Sequence, residues 1–126
     1  MTIYRKIVRT RPRPAYYVLP LGKPWEKELI ALLDRQFIEY EKKGSEETYE
    51  LAQFIRQGEK IALSEKKTRR FEQGALIVPV AQEASRIVSF LFEADCPDSE
   101  AAKETLKLEK HLQSFFFPEG DFDVYR

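Results

Sequence analysis

The segment from Pro79 to Asp95 has the clearest helical periodicity in the chain and most constrains its fold. Its apolar residues recur every three or four positions, on one face of a helix: Val80, Ala84, Ile87, Val88, Leu91 and Phe92. Pro79 suits the first helical position, where its missing N–H has no helical partner. Phe90 interrupts the polar face, so we expect neighbours on more than one side. We predict that this helix is the central core element.

Two short segments near the beginning of the sequence favour strands. Ile3 to Arg9 is rich in β-branched and aromatic residues, although its apolar pairs also fit a helical repeat. Ala15 to Leu19 is an apolar run bounded by prolines, which indicates a buried strand. The prolines and arginines at positions 9–14 predict a stiff extended loop. We expect the two strands to pair antiparallel across this loop.

The pattern of residues 24–73 predicts a helical hairpin. An apolar face runs from Trp25 to Tyr40, and Gly44 after two lysines is a typical helix stop. Ser45 with two following glutamates is a typical helix start, and an apolar stripe continues through Leu51, Phe54, Ile55 and Ile61. A break of two residues predicts antiparallel helices, with Gly58 a weak point in the second.

The remaining segments complete an α+β, mainly helical fold in one domain. Ala75 to Pro79 is a candidate third strand, restricted by Pro79 to an edge or a strand end. Asp98 or Ser99 begins a last helix, which Pro118 ends after Phe116. The predicted fold is therefore an N-terminal two-stranded piece at 1–24, the helical hairpin, the candidate strand, and two further helices.

Length and composition fit a single cytoplasmic domain. The 126 residues are enough for one core, and 43% apolar with 33% charged residues is typical of a globular chain. The single cysteine, Cys96, fits a reducing compartment. No segment approaches the roughly 20 apolar residues of a membrane helix, and the first ten residues lack the apolar core of a signal peptide. We expect a soluble cytoplasmic protein without membrane contact.

The chain carries no net charge, but its charges are unevenly distributed. It has 21 basic and 21 acidic residues, which argues against a protein that simply coats nucleic acid. Residues 1–24 hold six cations and no acid, whereas residues 118–126 hold three acids and one cation. We predict a basic N-terminal arm and a solvated acidic C-terminal tail.

Two basic clusters are candidate contact sites for nucleic acid. The arm places cations beside aromatic rings, as phosphate contact with base stacking requires; its candidates are Arg5, Arg9, Arg11, Arg13 and Tyr16. Its alternative interpretation is a solvated edge strand protected by cations. The second cluster comprises Lys66, Lys67, Arg69 and Arg70. There the favoured interpretation is a helix end, where cations are stabilising in any case.

The run Phe115 to Phe117 is a candidate partner contact. Neighbouring side chains on a helix lie about 100° apart, so three successive rings cannot all face one core. At least one ring must cover another element or a partner, and we name Phe116 and Phe117 as candidates. Core packing at a helix end is the alternative interpretation.

Catalytic and metal sites find little support in the sequence. One cysteine and one histidine cannot supply the four ligands of a zinc site, and the alternating acids after Pro118 are too few for a calcium loop. Cys96 and His111 are the one nucleophile–base pair, without a third orienting group. We predict no enzyme activity, metal or cofactor, and see no evident small-molecule substrate.

These patterns favour a non-catalytic binding or regulatory protein that acts through protein–protein contacts, with a homodimer as one arrangement. The high aromatic content of 13% and the phenylalanine run support this hypothesis. The alternative is a small nucleic-acid-binding protein that uses the basic arm.

Overall fold

The computed structural model describes residues 12–94, 103 and 108–126 of the chain. Within these residues the chain forms seven short strands and three short helices. In chain order they are β1 (Tyr16–Pro20), α1 (Glu26–Arg35), β2 (Glu41–Lys43), β3 (Glu47–Leu51), β4 (Phe54–Gln57), β5 (Lys60–Leu63), β6 (Lys67–Phe71), β7 (Ala75–Pro79), α2 (Ser85–Phe92) and α3 (Lys110–Phe116).

The strands form three small antiparallel sheets, and β7 is the centre of the largest one. That sheet has the order β1-β7-β2, while β3 pairs with β6 and β4 pairs with β5. The predicted strand at Ala15 to Leu19 is confirmed as β1, but its partner in the described residues is β7. The candidate third strand is also confirmed, and Pro79 lies at its end, where no ladder hydrogen bond is interrupted. The predicted strand at Ile3 to Arg9 lies outside the described residues.

Both faces of the central sheet are covered. Leu76 and Val78 of β7 point into the main core, together with buried residues of the three helices. The alternate residue Ala75 faces a second, smaller core, which Leu51 and Phe71 of the β3–β6 pair complete. This two-sided burial explains why β7 is a nearly continuous apolar run.

The segment after α3 is part of the sheet structure. Tyr125 and Val18 exchange backbone hydrogen bonds of 2.9 and 3.0 Å, and Arg126 exchanges two of 2.9 Å with Ala52. Phe122 is only 3% exposed. The prediction of a solvated acidic tail is therefore wrong, because its apolar residues alternate with its acids and point inward with the period of a strand. This segment joins β1 to the chain around Ala52.

The mainly helical fold class and the helical hairpin are also wrong. Of residues 24–73, only Glu26–Arg35 forms a helix, and five strands follow it. The apolar residues from Leu51 to Ile61 match a helical repeat by spacing alone. Leu51 ends β3, and a two-residue turn at Gly58 and Glu59 divides the others between β4 and β5. The described chain is a sheet-rich α+β domain with short helices.

The predicted central helix is shorter than its periodicity indicates. Pro79 is the last residue of β7, and α2 begins only at Ser85. Its inner side buries Val88, Leu91 and Phe92, as predicted. Its outer side leaves Phe90 39% exposed, so the described residues do not supply the expected cover on a second side. β7, and not this helix, is the element around which the sheet is built.

The C-terminal boundary of the last predicted helix is confirmed, since α3 ends at Phe116. Its predicted beginning, at Asp98 or Ser99, lies outside the described residues. No helix among the described residues is long and apolar enough to cross a membrane.

Substituting Gly58 with alanine distinguishes the observed hairpin from the predicted helix by the sign of its effect. Gly58 has φ +64° and open space around its Cα, so alanine there meets only the backbone cost of a left-handed conformation. We expect the free energy of unfolding to fall by about 1 kcal/mol, whereas in a helix it would rise by about that much. Urea denaturation measures the change. Gly44 is a matched control, because it has equally open space and no positive φ; its change to alanine should not destabilise the protein.

Candidate functional site

Of the predicted basic arm, the structure describes Arg13 and Tyr16. Arg5, Arg9 and Arg11 lie outside the described residues. Arg13 and Tyr16 are exposed before and at the start of β1.

The second basic cluster lies on strand β6, so its predicted position at a helix end is wrong. Adjacent strand residues point to opposite faces, which separates Lys67 and Arg69 from Arg70; Lys66 and Lys67 are exposed. Arg69 donates to the Leu51 carbonyl at 3.3 Å, and its guanidinium carbon lies 5.4 Å from the centre of the Tyr125 ring.

Arg70 is already engaged within the chain. Its Nε donates to the Glu46 carboxylate, and this hydrogen bond raises the pKa of the guanidinium. Both side chains of the pair are exposed, so the contact adds little stability. Two of the four cations in this cluster thus have partners in the chain, which weakens the cluster as a phosphate-binding surface.

Phe116 and Phe117 line a cavity of about 320 Å³, which we call the phenylalanine pocket. A third ring comes from the C-terminal segment, and charged side chains come from β4, the turn after it and position 103. The lining residues that matter below are Arg56, Glu59, Lys103, Phe116, Phe117 and Phe122. Among the described lining residues, the pocket therefore combines aromatic walls with Arg56, the buried Lys103 and one acid, Glu59.

The end of α3 explains how the phenylalanine run divides between core and pocket. Phe115 packs in the core against the rings of Trp25 and Phe92, at centroid distances of 4.5 and 6.4 Å. Phe116 is also buried, with the Lys103 ammonium 5.0 Å from its ring centre. Phe117 follows the last helical residue and is 37% exposed. As the helical spacing predicts, the three rings do not share one face.

Arg56 is fixed at the wall of the pocket by three contacts. Its backbone N–H donates to Asp121 Oδ1 at 3.0 Å, and its Nη2 donates to the Pro118 carbonyl at 2.8 Å. Its guanidinium carbon lies 5.3 Å from the Phe122 ring centre. The buried Nε has no hydrogen-bond partner in the part of the chain that the structure describes. The fixed guanidinium places a positive charge beside the aromatic wall, which suits a ligand that is both apolar and anionic.

A cluster of polar side chains holds the C-terminal segment in place, next to Ala94, which also lines the pocket. The Tyr17 hydroxyl donates to Glu93 Oε2, and Arg126 Nη1 contacts both Glu93 oxygens at 2.6 and 3.0 Å. Arg126 Nη2 also donates to the Pro12 carbonyl at 2.6 Å. Burial is the largest cause of the raised pKa of Tyr17, and the hydrogen bond to Glu93 is the second. Tyr17 therefore stays protonated at neutral pH, and the group is suited to structural support.

The residues considered for catalysis do not form a site in the described chain. Cys96 lies outside the described residues. His111 Nδ1 is 3.2 Å from Glu28 Oε1 on the exposed side of α3. The pKa of Glu28 is lowered first by a hydrogen bond from its own backbone N–H and second by this contact with His111. Within residues 12–94, 103 and 108–126, no group of three His, Cys, Asp or Glu side chains could hold a metal ion.

Phe37 is a functional candidate that the sequence analysis missed. The Ile38 N–H donates to the Leu33 carbonyl at 2.9 Å and the Phe37 N–H to the Asp34 carbonyl at 3.2 Å, which closes α1 with a Schellman motif. In this motif Phe37 has φ +56°, a conformation that favours glycine. Its ring is 89% exposed. The helical periodicity placed this ring in the apolar stripe of a longer helix and so concealed it.

Replacing Phe37 with glycine should stabilise the single chain. Glycine removes the cost of the left-handed conformation, and the exposed ring contributes little burial, so we expect a gain of about 0.5–1 kcal/mol in unfolding free energy. Thermal and urea denaturation at low protein concentration measure this gain. Phe37→Ala is the control, because it removes the ring but keeps a side chain in the left-handed conformation. A loss of stability in Phe37→Gly would show that the ring packs within the chain.

Comparison with known proteins gives no relative: no family model, curated protein or solved structure matches this chain. Functional inference therefore rests on the geometry of the chain itself.

Proposed function

We propose that this chain is a non-catalytic protein-binding domain, which holds an apolar, negatively flanked side chain of its partner in the phenylalanine pocket. The observation that carries the proposal is the pairing of a partly exposed aromatic wall, Phe117, with the preorganised cation Arg56. Aromatic and arginine side chains around a desolvated pocket are typical of residues that dominate binding energy at interfaces. A cytoplasmic location is part of this proposal, because the single cysteine fits a reducing compartment.

Protein binding has better support than the nucleic-acid alternative. That alternative draws on the β6 cations as well as on the basic arm. Arg69 and Arg70 have partners within the chain.

Removing the Phe117 ring tests the proposal. We expect Phe117→Ala to weaken binding of the natural partner about 30-fold or more, which corresponds to the loss of an interface hot spot. The measurement is quantitative mass spectrometry of proteins that the immobilised chain retains from a lysate of cells that naturally produce it.

Phe90→Ala is the matched control, because Phe90 is 39% exposed and Phe117 is 37% exposed. The proposal requires at least one protein that the wild type and Phe90→Ala retain and Phe117→Ala loses. Identical sets of retained proteins for all three chains would contradict it.

A further inference from the structure

The second strand of the β4–β5 hairpin directs alternate backbone groups away from the hairpin. Phe54 of β4 makes two backbone hydrogen bonds, of 3.0 and 3.2 Å, with the C-terminal segment, so its N–H and C=O both point away from β5. In an antiparallel pair, residues that lie opposite each other direct these groups alike, either toward each other or both outward. Leu63 and Ile61, which lie opposite Phe54 and Arg56, therefore direct theirs to the far side of β5.

These outward groups have no strand to pair with in the part of the chain that the structure describes. There, the N–H and C=O groups of Ile61 and Leu63 form no backbone hydrogen bond. The Ser64 N–H, by contrast, donates to the Gln53 carbonyl at 2.9 Å, as expected of the intervening, inward-facing pairs. β5 thus presents two donors and two acceptors along one open edge.

β5 also lacks the features that protect exposed strand edges from pairing. Such edges are usually protected by charged side chains, proline or a bulge. The edge strand β2 is three residues long and wholly charged, whereas β5 has one charged residue, Lys60, at its start. Ile61 and Leu63 pack against the main core, and Ala62 lies on the other face, opposite Ile55. The edge is therefore apolar on both faces.

We infer that β5 pairs antiparallel with β5 of a second copy of this chain, around a two-fold axis at Ala62. In this register Ile61 of each copy lies opposite Leu63 of the other, and their outward groups form four backbone hydrogen bonds. A second copy offers the same spacing of donors and acceptors on a strand that is already folded, so pairing loses less conformational entropy than the ordering of a free peptide. The inference adds an interface to the proposed function and does not depend on it.

The charges and side chains around the edge fit this arrangement. Antiparallel pairing brings the turn end of one β5 beside the far end of the other. Glu59 and Lys60 at the turn end carry no net charge together, and neither do Glu65 and Lys66 beyond the far end. At the axis two small Ala62 side chains face each other, in a pair whose Cβ atoms lie about 5 Å apart. The contact buries little surface, so association is weak and depends on concentration.

Charged substitutions at Ala62 test this interface at its axis. Analytical ultracentrifugation over a wide range of concentrations measures the association. We expect the wild-type chain to self-associate, and Ala62→Lys and Ala62→Glu each to weaken the association about tenfold or more, because like charges then face each other. Ala62→Gln is the matched control, with a side chain of similar length and no charge. Its association should stay within about threefold of the wild type.

A mixture of the two charged variants tests whether two β5 strands meet. Opposite charges then face each other at the axis, so an equimolar mixture of Ala62→Lys and Ala62→Glu should form a 1:1 complex at concentrations where each variant alone is monomeric. Position 62 lies on the face away from the main core, so both variants should fold, and circular dichroism checks this.

Hydrogen exchange of the wild-type chain tests the register without a substitution. The backbone N–H groups of Ile61 and Leu63 donate across the interface in the dimer and have no backbone acceptor among the described residues of one chain. We expect both amides to exchange more slowly as the protein concentration rises.

Three results would overturn the inference: a wild-type chain that is monomeric at about 1 mM, an association that both charged variants leave unchanged, or a mixture without a heterocomplex. If the charged variants do not fold, exchange at Ile61 and Leu63 that is independent of concentration overturns it by itself.

Discussion

Replacing Arg126 with methionine is expected to lower the free energy of unfolding by about 3 kcal/mol. The side chains of Arg126 and Glu93 are only 11% and 14% exposed, and their shortest contact is 2.6 Å. Removing the guanidinium leaves a carboxylate with little access to water and also removes the hydrogen bond to the Pro12 carbonyl. Breaking one member of a buried ion pair costs more than the pair contributes, because the remaining charge loses this partner at a place with little access to water. Urea denaturation at pH 7 measures the change.

The double variant Glu93→Gln/Arg126→Met is the control for this explanation. A neutral glutamine removes the buried charge and still accepts the Tyr17 hydroxyl, so the double variant should be more stable than Arg126→Met alone. A change below about 0.5 kcal/mol in Arg126→Met, as expected of an ordinary surface substitution, would contradict a structural role for Arg126.

Replacing Phe122 with alanine is expected to destabilise the protein by about 3 kcal/mol or more, as large-to-small changes of buried phenylalanines do. Phe122 is 3% exposed, its N–H donates to the Phe54 carbonyl at 3.0 Å, and its ring faces Arg56. In a solvated tail, the same substitution would change the stability by less than about 0.5 kcal/mol.

Glu119 is the matched control for Phe122, since it is exposed and lies in the same segment. Glu119→Ala should leave the unfolding free energy within about 0.5 kcal/mol of the wild type. Equal effects of the two substitutions, measured by thermal and urea denaturation, would show that the C-terminal segment does not pack as described.

Local signals in the sequence were sufficient for β1, β7 and the end of α3. β1 and β7 are short apolar runs ending at prolines, and Pro118 follows the last turn of α3. In each case the residues that define the element are neighbours in sequence. The inner face of α2 could also be predicted, because its three buried residues follow a helical period.

The β2–β6 region could not be predicted from local pattern, because its pairing is set by contacts distant in sequence. Glu47 of β3 lies opposite Phe71 of β6, and the intervening residues form the separate β4–β5 hairpin. Short strands divided by tight turns leave apolar residues at spacings that a helix also produces. Here tertiary packing outweighed a local helical pattern.

The candidate site was predicted only in part for the same reason. Phe116 and Phe117 were identified because three successive rings are anomalous on any helix. Arg56 and Phe122 were missed, since they join the pocket only through the pairing of the C-terminal segment with β4. Phe37 was missed because nothing at this position in the sequence indicates a left-handed backbone conformation. The predicted helix continued past Phe37, whereas α1 ends at Arg35.

Site-specific photocrosslinking tests most directly the central claim that partners bind at the phenylalanine pocket. A photoreactive benzoyl-phenylalanine replaces Phe117 in one chain and Phe90 in a control chain of similar exposure. We expect the probe at position 117 to form crosslinks to one discrete protein and the probe at position 90 to form none to that protein. The same crosslinked products from both positions, or none from position 117, would contradict the claim.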